Sequence, residues 1–280
     1  MALNTALDLL VCPLCRQSLA DHGDSVRCGS GHAFDVARQG YLNLSGGPPP
    51  ANADTAEMVA ARAGFLDAGH YEAIADGLVG AVPSAARTVL DCGAGTGYYA
   101  ARLLAADHDR RALALDVSVA AIRRAARAHE RMAAVVADAW RPLPIADGVV
   151  DVIVSVFAPR NPAEFHRVLA PGGSLITVVP WPEHLVELRR PLGLLDVEPA
   201  KTDRLDTSLA GFFRRVATHP VRFRSSWDIV TARAAVLMGP NAFHVTPAEL
   251  DRRLTRLSWP LEVTVSCLIG VWSRLTPCGS

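Results

Sequence analysis

Val89-Leu90-Asp91-Cys92-Gly93-Ala94-Gly95-Thr96-Gly97 is the stretch that decides the fold of this chain. A short apolar segment runs into an acid, then into three glycines at a spacing of two, and a helical pattern follows from Tyr98 to Ala106. Glycines at a strand-to-helix turn remove the Cβ atoms that would keep a ligand away, and the turn aims backbone N–H groups at it. The dinucleotide fingerprint needs glycine at its first, third and sixth positions, and here the sixth is Tyr98. A Gly-rich turn of another kind is present.

Its context repeats in register. Ala112-Leu113-Ala114-Leu115-Asp116-Val117 is a second buried strand ending in an acid, at the place where a carboxylate can accept both ribose hydroxyls of an adenosine. Val135-Val136-Ala137-Asp138-Ala139 is a third, and Val149 to Phe157 a fourth. Phe165 to Val179 reads as helix, Pro-Gly-Gly turn and fifth strand. A single aspartate in such a place is more often a cap or turn residue, but matching units in order outweigh that reading. The D-x-G-x-G-x-G form resembles motif I of the Rossmann-like class I methyltransferases, α/β proteins that bind S-adenosylmethionine. The resemblance implies a cofactor site at Asp91, Gly93, Gly95, Thr96, Gly97 and Asp116, with Asp138 reaching the adenine amino group.

Cys12-Pro13-Leu14-Cys15 and Cys28-Gly29-Ser30-Gly31-His32 form the other strong pattern. Two thiolates two residues apart, followed by a thiolate and an imidazole, suit a tetrahedral Zn2+ of Cys3His type. Asp24 to Arg27 reads as one arm of a small hairpin between them. Four protein ligands leave no position for water, so the ion is expected to be structural and to supply folding energy to a segment too short for a large core. Cys92, Cys267 and Cys278 are expected to be packing or tail residues. Nothing N-terminal resembles a signal peptide, and a reducing cytoplasmic setting disfavours a disulfide reading.

Half of the 280 residues are hydrophobic, yet no uninterrupted apolar run approaches the ~20 residues of a membrane span. The formal charge is zero, so charge alone points to no partner. Its distribution says more. Lys201 is the single lysine, and Arg214, Arg215, Arg222, Arg224 and Arg233 share a stretch whose only acid is Asp228. The cluster is either a phosphate-binding surface or a solvated face. Arg123, Arg124, Arg127 and Arg131 at helical spacing read as a solvated face.

These anchors divide the chain into a zinc-binding module at 1–44, a linker at 45–54 and a methyltransferase domain at 55–280. The linker, Ser45-Gly-Gly-Pro-Pro-Pro-Ala-Asn52 at its heart, is expected to be flexible, and the module to contribute nothing to the donor site. Thr55 to Leu66 and the segment from Gly69-His70-Tyr71-Glu72 read as helices, Trp181 to Gly211 as irregular. Phe223 to Leu237 and Pro247 to Leu257 read as helices, and Leu261 to Ser273 as a terminal strand.

Together the pieces resemble the large-subunit rRNA guanine-N1 methyltransferases, including the actinomycete enzymes of tylosin resistance. The zinc motif, Phe34-Asp35, Gly40 to Leu44, Ala56-Glu57-Met58, Phe65 to Tyr71, Asp91 to Tyr99, Phe157-Ala158-Pro159 and His184 to Leu188 carry it. It covers nearly the whole chain, more loosely in the C-terminal third, where Met238-Gly239-Pro240 departs from the family's Met-Thr-Pro. It implies methylation of a guanine N1 in a 23S rRNA hairpin near the macrolide tunnel, cofactor contacts from Tyr71, Gly95, Thr96 and His184, and a homodimer. Phe157-Ala158-Pro159 sits where many base methyltransferases place the target. It has no carboxylate or amide, so His184 and Glu187 are the nearest candidates for a general base. A small-molecule methyltransferase of quinone or polyketide biosynthesis would share the core. A zinc-dependent binding module without catalysis is the third reading, disfavoured by the intact turn and its acids.

Overall fold

The computed structural model describes residues 2–48, 50–197 and 201–276; Cys278 lies outside them. The N-terminal segment forms a small antiparallel sheet of β1 (Leu19–Asp21), β2 (Ser25–Cys28) and β3 (Ala33–Asp35), so the expected hairpin arm is β2. There follow β4 (Leu42–Asn43), α1 (Ala56–Asp67), α2 (Glu72–Ala81), β5 (Thr88–Cys92), α3 (Tyr98–Ala106), β6 (Arg111–Asp116) and α4 (Val119–Ala125). Next come β7 (Met132–Val136), β8 (Val150–Val156), α5 (Pro162–Val168), β9 (Leu169–Pro180), α6 (Val186–Leu192) and α7 (Lys201–Leu209). The chain closes with β10 (Phe213–Trp227), α8 (Ile229–Leu237), α9 (Pro247–Leu254) and β11 (Leu261–Arg274).

The large sheet has the order β10-β11-β9-β8-β5-β6-β7-β4, parallel from β9 to β4 and antiparallel at β11 and β10. The order reverses between β5 and β8, which places a ligand crevice at the carboxyl ends of these strands. Residues of β5, β6 and β7 are buried on both faces apart from the ends of β6, which explains their unbroken apolar runs. Phe65, Ile74, Leu103, Ile122, Leu188 and Trp227 pack in the core of one face. The other face is covered by Leu3, Leu9, Leu10 and Val26 from the N-terminal segment together with Phe165 and Leu209.

The N-terminal segment is thus not set apart from the sheet. β4 is its outermost parallel strand, beside β7, and Leu42 and Leu44 are buried in the same core as Leu113 and Val135. Arg16 donates to the carbonyls of Leu143 and Ile145, and Arg111 meets both carboxylate oxygens of Asp8 at 2.7 Å. The linker is tied as well: Ser45 bonds the Asn43 side chain, and Asp54 accepts from Arg62 through its carboxylate and from Ser118 through its carbonyl.

Two expectations are corrected. Phe223 to Trp227 continues β10 because apolar and polar residues alternate there, with Phe223, Ser225 and Trp227 inward and Arg224 and Ser226 outward; α8 begins only after Asp228, whose side chain caps Thr231 N. The stretch after Trp181 holds α6 and α7, the former steadied by Arg189, whose guanidinium donates to the carbonyls of His184 and Pro182.

Candidate active site and metal centre

Cys12, Cys15, Cys28 and His32 converge, with all four ligand atoms within 4.8 Å of one another. Cys15 Sγ lies 3.6 Å from Cys28 Sγ, and His32 Nδ1 lies 3.5 Å from Cys12 Sγ and 3.4 Å from Cys28 Sγ. Tetrahedral Zn2+ with bonds of ~2.3 Å to sulfur and ~2.1 Å to nitrogen needs ligand–ligand edges of about 3.5–3.8 Å, so the cluster fits the ion. Tight turns build it. Cys12 O accepts from Arg16 N at 2.8 Å with Arg16 in a left-handed conformation, and Cys28 O accepts from Gly31 N at 3.0 Å. The Gln17 amide N–H brings the Cys15 thiol down to about 6, toward the thiolate that metal binding requires.

At the glycine turn, φ is +78° at Gly93, +55° at Gly95 and +78° at Gly97. The three have different reasons to lack a side chain. A Cβ on Gly93 would sit 2.4 Å from Ala158 Cβ, and one on Gly97 would meet Met132 Cε at 2.8 Å, so both serve packing. At Gly95 a Cβ would meet only the flexible Arg62 guanidinium, at 3.0 Å. Asp116 organises the turn: one oxygen accepts Gly95 N at 2.9 Å, the other Ser118 N at 2.8 Å. Thr96 is buried beside it.

Asp91 is the unusual acid. It is 1 % exposed, and among the described residues its Oδ2 has no hydrogen-bond partner; neither does the buried Tyr99 hydroxyl. Burial first, and the Asp116 charge second, push its carboxyl up to about 7. A buried carboxylate with an unengaged oxygen is a place for a cation, which suits the ammonium and sulfonium groups of S-adenosylmethionine. The donor set therefore fits that cofactor.

Tyr71, at the start of α2, is buried, and its hydroxyl lies 3.1 Å from His184 Nε2. His184 Nδ1 accepts Ser266 N at 3.2 Å, so Nε2 carries the proton and donates to the phenol oxygen. Both ring nitrogens are engaged, and His184 orients Tyr71. The Phe157 ring completes the group, 6.1 Å from Tyr71 and 5.9 Å from His184, on a residue held at φ +53° at the end of β8. Glu187, the other candidate base, accepts from Thr264 N at 2.9 Å and Thr264 Oγ1 at 2.6 Å. Burial raises its pKa, but these two bonds outweigh that, so it stays ionised and ties α6 to β11. It takes no place beside Phe157 as a proton acceptor.

Asp138 lines a cleft of about 440 Å³ with Val117, Arg141, Ser45, Gly46, Gly47, Pro48 and Pro50. The linker, expected to be a flexible connector, supplies Ser45, Gly46, Gly47, Pro48 and Pro50 to this cleft. Sequence reasoning also missed Arg62, over the Gly95 turn, because nothing in its spacing marks it. Of the arginines singled out earlier, Arg215 pairs with Asp206 at 2.8 Å and Arg233 with Asp251 at 2.6 Å, whereas Arg214, Arg222 and Arg224 are exposed on the edge strand β10. Arg123, Arg124 and Arg127 are exposed, and Arg131 is engaged by the carbonyls of Leu104, Asp107 and Arg110.

Known proteins align with both sites. Residues 10–45 match the model of the RlmA N-terminal zinc ribbon, and residues 89–173 that of the methyltransferase domain. A 23S rRNA (guanine(748)-N(1))-methyltransferase of Streptomyces fradiae is 45 % identical over 267 residues, covering 94 % of this chain and 95 % of that protein. A relative from Micromonospora griseorubida, named for the same guanine-N1 activity, is 47 % identical over 92 % of this chain and 94 % of its own length. The solved YcgJ protein of Bacillus subtilis shares the fold, with a TM-score of 0.51 at 15 % identity over 74 % of this chain and 100 % of that one. No helix among the described residues is long and apolar enough to cross a membrane. With a Cys3His cluster beside its small N-terminal sheet and an S-adenosylmethionine turn on its large one, this chain belongs to the rRNA (guanine-N1)-methyltransferase family.

Proposed function

We propose that the chain methylates N1 of one guanine in a 23S rRNA hairpin near the macrolide tunnel, and that the mark gives tylosin-type resistance. In this reading residues 1–44 are the metal module, 45–54 the connector and 55–280 the catalytic domain. Gly93, Gly95, Thr96 and Gly97 shape the cofactor turn, and Asp91, Asp116 and Asp138 receive the ammonium, ribose and adenine. Tyr71, positioned by His184, lays its ring beside the sulfonium. The carrying observation is the union of the zinc centre with the large sheet through β4 and through Ser45, Gly46, Gly47, Pro48 and Pro50 at the Asp138 cleft, an arrangement for which a small-molecule methyltransferase has no evident use.

S-adenosylmethionine, when bound, supplies an electrophilic methyl group on a good leaving group. The chain contributes alignment and exclusion of water. The new N1–C bond forms as the S–C bond breaks, and a neutral thioether remains. The N1 proton would be released to solvent as the base enters, before the site closes, because neither His184 nor Glu187 has a free acceptor for it. N1 of a paired guanine is unreachable, so the nucleotide must be unpaired or turned out. Exposed Arg214, Arg222 and Arg224 are suited to the phosphates. The 15-residue β10, with no strand on its outer edge among the described residues, offers an edge for homodimerisation, and sedimentation velocity would measure it. A ribosomal substrate places the enzyme in the cytoplasm.

Primer extension tests the reading, because N1 methylation blocks Watson–Crick pairing. Wild-type protein with cofactor should create one reverse-transcriptase stop in 23S rRNA. A protein that binds cofactor and creates no stop would overturn it.

A further inference from the structure

A second cleft, of about 500 Å³, lies beside the donor site and is lined by Trp140, Pro159, Arg160, Pro162, Ser208 and Phe212. It is linked to that site in two ways. Asp138 and Trp140 belong to one turn, closed by a 2.9 Å bond from Trp140 N to Asp138 Oδ1; the carboxylate faces the 440 Å³ cleft and the indole this one. Phe157 packs with Tyr71 and His184, and Arg160 follows three residues on, within about 10 Å of extended chain.

Two side chains here lack the settings their types usually have. Trp140 is 68 % exposed, a large ring without cover. Arg160 is half-buried, and among the described residues no carboxylate or carbonyl accepts from it, although burial weighs against its charge. Arg110 and Arg189 are buried and Arg131 and Arg167 half-buried, and each donates to carbonyls or carboxylates. A desolvated guanidinium without a partner is costly unless a ligand completes it.

The walls identify the ligand. Trp140, Pro159, Pro162, Ala163 and Phe212 make most of the lining apolar; Arg160 is the one cation, and the other polar residues, Asn161 and Ser208, are bonded to Glu164 N and Leu205 O. A phosphate would want several donors and water, whereas a flat base wants apolar faces and one edge partner. Guanine presents two adjacent acceptors, O6 and N7, which match a guanidinium fork; adenine offers an acceptor and a donor there. We propose that this cleft binds the target guanine, Arg160 donating two hydrogen bonds to O6 and N7 while the Trp140 indole stacks on the base. The inference rests on the reading of the chain as a guanine-N1 methyltransferase. The arrangement leaves the Watson–Crick edge, with N1, free to face the methyl donor. A cation at O6 also stabilises the negative charge that develops as N1 gives up its proton.

The test pairs Arg160→Ala with a hairpin RNA carrying 7-deazaguanine, which lacks N7, at the nucleotide marked by the primer-extension stop. On guanine RNA, Arg160→Ala should lower kcat/KM about ten- to hundred-fold. Its S-adenosylmethionine affinity by calorimetry should match wild type, which shows that the variant is folded. Arg160→Lys, a single point donor, should recover only part of the activity. Wild type should lose about ten-fold on 7-deazaguanine RNA, and Arg160→Ala should lose little more, because the two changes remove the same contact. Independent, multiplying losses would overturn the assignment, as would an Arg160→Ala variant as active as wild type. A cofactor-bound wild type that leaves guanine RNA unmethylated would instead overturn the functional reading, and this inference with it.

Discussion

The two clefts stand on either side of one turn and are lined differently. In the 440 Å³ cleft the Asp138 carboxylate lies 3.8 Å from Arg141, so charge is met by charge, whereas in the 500 Å³ cleft Arg160 stands among the apolar Trp140, Pro159, Pro162 and Phe212. The protein itself leaves two groups incompletely paired: the Asp91 carboxyl at the glycine turn and the Arg160 guanidinium. Gly93 packs directly against Ala158 and Pro159, so the glycine turn abuts the segment that leads into the second cleft.

The comparison breaks most completely if the N-terminal segment is loosened. Cys15→Ser should lose stoichiometric zinc by metal analysis and lower the melting temperature. Because β4 belongs to the sheet, and Ser45, Gly46, Gly47, Pro48 and Pro50 line the cleft with Asp138, cofactor affinity should fall too. Unchanged cofactor affinity in zinc-free protein would separate the metal centre from the donor side. Gly93→Val strikes this contact of the glycine turn, where even a first carbon would lie 2.4 Å from Ala158 Cβ at φ +78°. Calorimetry should detect no cofactor binding while zinc is retained. Asp116→Ala removes the acceptor of two backbone N–H groups and should cost about 1–3 kcal/mol of cofactor binding, the scale for hydrogen bonds to a charged group. A loss under a few tenths would make Asp116 a turn residue only.

Much of this was legible in the sequence where the cause is local. The glycine turn, α3 and the knuckles of the metal site follow from residues a few positions apart, and the place of Asp116 at a strand end from a strand that repeats the pattern. β10 was partly misread because Phe223 to Trp227 adjoins an Ala- and Val-rich helix, and the period changes at one residue, Asp228. The placement of Ser45 to Pro48 and of Pro50 beside Asp138, of Arg62 over Gly95 and of Arg160 beside Trp140 depends on contacts between distant elements. Glu187 has the right residue type for a base and the right place in sequence, but Thr264, far along the chain, engages both its oxygens.

The smallest expected effect concerns the proton on Asp91. Without cofactor its carboxyl titrates at about 7, raised by burial and then by Asp116. An ammonium or sulfonium beside Oδ2 favours the ionised form, so binding below that pH must first expel a proton. Cofactor affinity should therefore rise with pH, by at most about tenfold per unit below 7, and level off above it. The stability of the cofactor-free protein should run the other way. A carboxyl whose folded pKa lies above its unfolded value of 3.8 stabilises the fold when protonated, and that contribution is fully present below 3.8 and lost as pH rises through 7. Asp91→Asn separates this proton from the rest of the site. It should bind cofactor weakly with a flatter pH profile, and above pH 7 its cofactor-free form should melt higher than wild type. A wild-type affinity independent of pH from 5.5 to 8.5 would mean that Asp91 keeps one protonation state throughout, and that it does not meet the cation.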